Sequence, residues 1–199
     1  NFPQRAPDAP YILEDAVGVR VAYEEDIYMG YRYFDSFGVP VAFPFGHGLS
    51  YTTFRYSELT LDRSRIAPDE SVTVRVRVTN SGDVAGRDAV QLYVSTPGAP
   101  ASDQRPLARL RRFRQVAIDP GRSTTVEFTL PATELAFFDE QAGRFRIDGG
   151  RYQLRVGDSS AAEDVRQRAT LTVTGTWTPL LAPGGRIAFT DAVWTIDDP

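Results

Sequence analysis

Ser71 to Thr79 reads SVTVRVRVT, with Val72, Val74, Val76 and Val78 alternating with Thr73, Arg75, Arg77 and Thr79. Successive side chains of an extended strand point to opposite faces, so this stretch shows one apolar face to a core and one polar face to solvent. β-branched residues also favour the pleated conformation. The same period recurs outward from this strand. After a turn at Asn80-Ser81-Gly82 come Val90, Leu92 and Val94; then Val126, Phe128 and Leu130; Phe145 and Ile147; Tyr152, Leu154 and Val156; and Leu171 and Val173. Asp119-Pro120-Gly121, Asp148-Gly149-Gly150 and Gly157 to Ser160 separate them as turns.

About seven short strands in roughly 120 residues, with no amphipathic helix between them, predict a mainly β protein. The architecture expected is an antiparallel β-sandwich of the immunoglobulin or fibronectin III kind, over residues 54–175. Residues 176–199 read as a C-terminal tail that carries both Trp residues, a Pro183-to-Gly185 turn and one strand at Arg186 to Thr190.

The region before Phe54 is different. Of 23 aromatic residues, 12 lie in the first 54 positions, without any repeated strand or long helix pattern. Burying a large aromatic contributes roughly 1.5–3 kcal/mol, but only against a surface, and ordering each residue costs about 1–2 kcal/mol. A partner surface is therefore expected. Within Asp26 to Asp35, Ile27, Tyr31 and Phe34 stand at helical spacing after Glu24-Glu25-Asp26, which suits a helix N-terminus. Gly38 to Gly48 (GVPVAFPFGHG) holds two Pro and three Gly, and reads as an extended connector.

Composition narrows the function. The 199 residues carry 22 basic and 26 acidic groups, a net charge of -4, which makes nucleic acid an unfavoured partner. Every basic residue except His47 is Arg. No run approaches the roughly 18 apolar residues of a membrane helix, so no membrane partner is expected. Without Cys there is no disulfide, thiolate nucleophile or Cys-ligated zinc. Asn1 to Arg5 lacks the basic and apolar regions of a signal peptide, and this end reads as a cut within a folding unit.

Several motifs in register resemble glycoside hydrolase family 3: Tyr28 to Phe34 (YMGYRYF), Phe43 to Thr53 (FPFGHGLSYTT), Val78 to Gly86 (VTNSGDVAG) and Val90 to Val94 (VQLYV). Arg105-Pro106, Leu110 to Phe113, Pro120-Gly121, Phe128 to Leu130, Leu135 to Asp139 (LAFFD), Tyr152 and Val156-Gly157 continue the likeness in order. The resemblance implies the C-terminal part of a β-glucosidase-like enzyme. A barrel carrying a nucleophilic Asp and an α/β sandwich domain carrying the acid/base Glu would precede a fibronectin III-like domain. Residues 1–53 then read as the end of the α/β sandwich domain and its linker. Retaining hydrolysis needs two carboxylates about 5–5.5 Å apart, and neither motif is found here; Trp177 and Trp194 follow Thr176 and Val193, not Asp. No catalytic residue is expected in this chain. The expected partners are the upstream catalytic domains, in the same or a separate chain, and through them a β-glucoside substrate. The alternatives are a free-standing carbohydrate-binding or adhesive module, and one chain of a noncovalently assembled two-chain glycosidase.

The candidate site is an interdomain docking surface comprising Tyr28, Tyr31, Arg32, Tyr33, Phe34, Phe45 and His47. The four rings of the YMGYRYF run read as a wedge between domains rather than a sugar-stacking platform. Arg32 sits among them and suits a carboxylate of the neighbouring domain. His47, the only His, reads as a packing residue, because proton transfer needs a partnered base. Arg105, Arg109, Arg111, Arg112 and Arg114 read as a solvated strand face or a surface pairing with acidic neighbours. Glu24, Glu25 and Asp26 complement a helix dipole rather than bind metal. Asp191, Asp197 and Asp198 are too sparse for a calcium site. No metal or cofactor is expected.

Overall fold

The computed structural model describes residues 27–95, 105–139 and 144–176, together with the backbone of residues 188, 189, 192 and 193. The Glu24-Glu25-Asp26 triplet, both Trp residues, the Pro183-to-Gly185 turn and Asp191, Asp197 and Asp198 lie outside the described residues.

The chain forms α1 (Tyr31–Phe37), β1 (Phe54–Leu61), β2 (Arg65–Ile66), β3 (Ser71–Asn80), β4 (Gly86–Val94), β5 (Arg109–Ile118) and β6 (Ser123–Pro131). It continues through β7 (Phe137–Asp139), β8 (Arg144–Arg146), β9 (Gly150–Gly157) and β10 (Val165–Val173). A small hairpin of β11 (Ala188–Phe189) and β12 (Ala192–Val193) follows, where a single strand was expected.

Two sheets make a sandwich. One has the order β1-β3-β6 and the other β2-β10-β9-β4-β5. Every pairing is antiparallel except the short β10–β2 contact. β7 and β8 form a separate hairpin.

The core follows from the period-two pattern. Val72, Val74, Val76 and Val78 are fully buried, as are Val126 and Leu130 on the neighbouring strand. Val90, Leu92, Leu154, Val156 and Leu171 face them from the second sheet, with Ile66, Ile147 and Tyr152 filling the ends. The polar alternates of β3 carry surface pairs instead, such as Arg75 with Glu127 at 2.6 Å across the strand.

Asn80 shows why the turn after β3 is rigid. Fully buried, its side-chain amide donates to the carbonyls of Val84 and Ile118, while its oxygen accepts from the Thr52 hydroxyl and Gly82 N–H. A buried amide with all its hydrogen-bonding capacity used adds specificity without leaving a desolvated group unpaired. A second buried polar pair ties the sheets together: the Tyr56 hydroxyl donates to Asp88 at 2.7 Å.

The helix expected over 26–35 forms later in the chain, at Tyr31–Phe37. Gly30 has φ 59 and ψ -134, outside the right-handed helical region, so helix formation begins only after it. Gly38, at φ 62, ends the helix in the left-handed conformation that glycine adopts at low cost. The first turn consequently carries no acidic residue, and the dipole role expected for the acidic triplet is not realised in that turn.

Candidate functional site

α1 has only seven residues and none is buried. Isolated helices this short are marginal in water, so its position depends on contacts with the sandwich. Tyr31 supplies the central one. Its ring lies edge-on to Tyr93 of β4 at 5.9 Å and stacks on Phe45 at 4.8 Å, while its hydroxyl accepts from the Leu110 N–H of β5 at 2.9 Å. One turn on, the Ser36 hydroxyl oxygen accepts from the Leu107 N–H at 2.8 Å. The connector is held in the same way, because Ser160 N–H donates to the Phe45 carbonyl at 2.8 Å.

The surface receiving them is the outer face of the five-stranded sheet. Gln91 and Tyr93 are buried there although they point away from the core. The Tyr93 hydroxyl donates to the Gln91 side-chain oxygen at 2.6 Å, and the Gln91 amide nitrogen donates to the Asp158 carbonyl. Gly46, at φ 87, lies so close to this amide that a Cβ would overlap it. Both the positive φ and the close approach require glycine there. The partner surface expected for the aromatic segment is thus supplied in part by the sandwich itself.

The other side of the segment is open. Tyr28 packs on Phe37 at 5.1 Å, Tyr33 packs on both Phe37 and Phe34, and Phe43 lies 5.2 Å from His47. His47 is exposed. Met29, Phe37, Phe43 and Phe45 are 48–71 % exposed, and Leu49 and Tyr51 are essentially fully exposed. Apolar patches of this kind, backed by an ordered segment, mark interaction surfaces. The structure therefore divides the predicted residues: Tyr31 and the Phe45 backbone face the sandwich, Tyr28, Arg32, Tyr33 and Phe34 are half-buried, with the three rings packed on Phe37 or one another, and His47 is exposed beside Phe43.

The Arg run from Arg105 into β5 is not a uniform solvated face. Arg105 pairs with Asp148 at 2.7 Å and lies over the Phe137 ring, and Arg112 grips Glu134 with both terminal nitrogens. Arg114 is exposed. Arg109 and Arg111 are half-buried next to Tyr31 without an ion pair or side-chain hydrogen bond. Burial, reinforced by the charge on Arg109, pushes Arg111 down to about 10, so it remains a cation at neutral pH. Burial first, then the Arg32 charge, lowers Arg109. These internal pairings and the partly buried cations were not legible in the sequence, because β5 lacks an apolar alternation. Among the described residues, no cluster of three or more His, Asp or Glu is placed to hold a metal ion, and no helix is long and apolar enough to cross a membrane.

The two-sheet topology and its core define a sandwich of the fibronectin III class, and residues 88–160 match the fibronectin type III-like domain family. Over 178 residues the chain is 37% identical to thermostable beta-glucosidase B of Acetivibrio thermocellus, spanning 87% of this chain but 23% of that protein. It is 37% identical over 181 residues to probable beta-glucosidase K of Emericella nidulans, spanning 90% of this chain and 21% of the relative. Among solved structures, beta-glucosidase 3B from Thermotoga neapolitana in complex with alpha-D-glucose superposes with a TM-score of 0.71 at 36% identity, over 89% of this chain and 22% of that one. The Bifidobacterium adolescentis GH3 beta-glucosidase gives 0.71 at 30% identity, over 87% and 24%. The chain spans less than a quarter of these proteins, in their C-terminal region. It corresponds to the C-terminal, fibronectin type III-like portion of family 3 glycoside hydrolases.

Proposed function

We propose that this chain is a non-catalytic brace within a family 3 enzyme that hydrolyses β-glucosides with retention, and that it docks against the catalytic domains through residues 27–53. On this reading residues 1–53 are the end of the α/β sandwich domain and the linker, 54–175 the fibronectin III-like domain and 176–199 a tail. The observation that carries the proposal is the two-sided character of the segment. One side is clamped to β4 and β5 through Tyr31, Ser36 and Phe45, and the other presents Met29, Phe37, Phe43, Leu49 and Tyr51 to solvent. A strap fixed at one face and apolar at the other suits a joint between two bodies.

The test compares the complete polypeptide, catalytic domains included, with the 199-residue chain. Leu49→Ser with Tyr51→Ser should lower the melting temperature of the complete protein by several degrees and reduce its cleavage of an aryl β-glucoside. In the 199-residue chain, where both side chains are already in water, melting should be unchanged. Equal melting of the complete variant and the complete parent protein would refute the docking role.

A further inference from the structure

Arginines that are half-buried among the described residues are held by an ion pair or a side-chain hydrogen bond, with three exceptions. Arg105 pairs with Asp148, Arg112 with Glu134 and Arg146 with Asp139 and Asp148, while Arg155 donates to the Gln153 side-chain oxygen. Arg32, Arg109 and Arg111 are half-buried with neither an ion pair nor a side-chain hydrogen bond, and Arg111 Nε is shut off from solvent with no acceptor. They neighbour one another: the charge of Arg32 acts on Arg109 and that of Arg109 on Arg111, with Glu134 the one carboxylate acting on Arg111. The Tyr31 hydroxyl sits on Leu110 N–H, between Arg109 and Arg111, and Arg32 follows Tyr31 directly.

Local geometry explains how the cations come to be there. Tyr93 pairs with Leu110 and Leu92 with Arg112, so β5 carries Arg111 as an extra, unpaired residue. A bulge of this kind re-aims a side chain and is frequent at functional positions. Burial and like-charge repulsion both lower Arg109 and Arg111, so their proximity is unfavourable in the isolated chain. The exposed rings of residues 27–53 begin on the same segment.

We propose that Arg32, Arg109 and Arg111 form a receptor for carboxylate side chains of the catalytic portion, an ionic lock beside the apolar docking face. The inference rests on the docking proposed above and names the chemistry of the opposing surface. A guanidinium can bind a carboxylate through two parallel N–H groups, and charge complementarity favours an acidic protein surface over a neutral sugar.

Two measurements test it. In the 199-residue chain, Arg109→Gln with Arg111→Gln should leave melting unchanged or raise it, because like charges are removed. In the complete protein the same pair should lower melting by several degrees. If Arg109→Gln with Arg111→Gln is silent in the complete protein while Leu49→Ser with Tyr51→Ser is not, docking stands and the ionic lock is wrong. If both pairs are silent, the docking role itself has failed and the lock falls with it.

The absence of Lys from the sequence permits a direct readout. Arg109→Lys or Arg111→Lys places an amine at the lock, and a zero-length carbodiimide should join it to an Asp or Glu of the catalytic portion in the complete protein. Arg114→Lys, on the exposed part of the same strand, should not cross-link. No cross-link at either position, or links only to carboxylates within these 199 residues, would overturn the proposal.

Discussion

The sandwich and the aromatic strap of residues 27–53 contain similar apolar side chains but use them differently. In the sandwich, alternation sends each apolar residue to one interior, and the valines of β3 are completely enclosed. In the strap the rings project all round a seven-residue helix and a Pro/Gly-rich connector, so one docking surface can cover only some of them. Periodicity therefore determines whether hydrophobic residues make a domain or a joint. The sandwich can satisfy itself, whereas the strap needs a second surface.

The largest expected effect lies in the sandwich. Leu154, fully buried on the central β9, has no solvent-facing alternative. Leu154→Ala should cost about 2–5 kcal/mol, measured as a fall in the urea midpoint of the 199-residue chain. A change below 1 kcal/mol, about the typical effect of a point substitution, would deny that the sandwich is the main stabilising unit.

A smaller and local effect is expected at the joint. Gly46→Ala forces a Cβ against the Gln91 amide at a positive φ, a strain of about 1–3 kcal/mol. Because the connector can lift away, the expected result is faster proteolysis within residues 38–53 with little change in the main unfolding transition. Loss of that whole transition would show that strap and sandwich fold as one unit.

The smallest expected effect is a pH dependence at Asp88. Burial raises its pKa above the ordinary 3.8, although the Tyr56 hydrogen bond opposes the shift. The folded state thus holds this proton more tightly than the unfolded state, and stability declines as pH rises from 3.8 through the raised folded value. Asp88→Asn should flatten that limb of the melting-temperature profile while keeping an acceptor for Tyr56. An unchanged profile would remove Asp88 as its source. The strap's Asp35 is likewise raised by burial, so comparison with Asp35→Asn separates the sandwich's contribution from the joint's.

The strands with a valine or leucine alternation were legible directly, including β3, β4, β6, β9 and β10. β5 was recognisable as an Arg-rich face but not as a strand that buries cations, because RLRRFRQVAI has no apolar period. Its bulge and its position under Tyr31 arise from pairing with β4 and from α1 lying across both. The helix was displaced from its expected start because spacing reports which residues share a face, whereas the Gly30 backbone decides where a right-handed turn can begin.

The amino-acid sequence alone determined that this protein is an antiparallel sandwich with an aromatic-rich segment unable to bury all its rings, since strand alternation is a local, period-two property. Tertiary structure alone decided which rings face the sandwich and which cations remain unpaired. Those outcomes depend on contacts between residues about 80 positions apart, such as Tyr31 with Leu110, and no local pattern encodes which distant group will lie opposite.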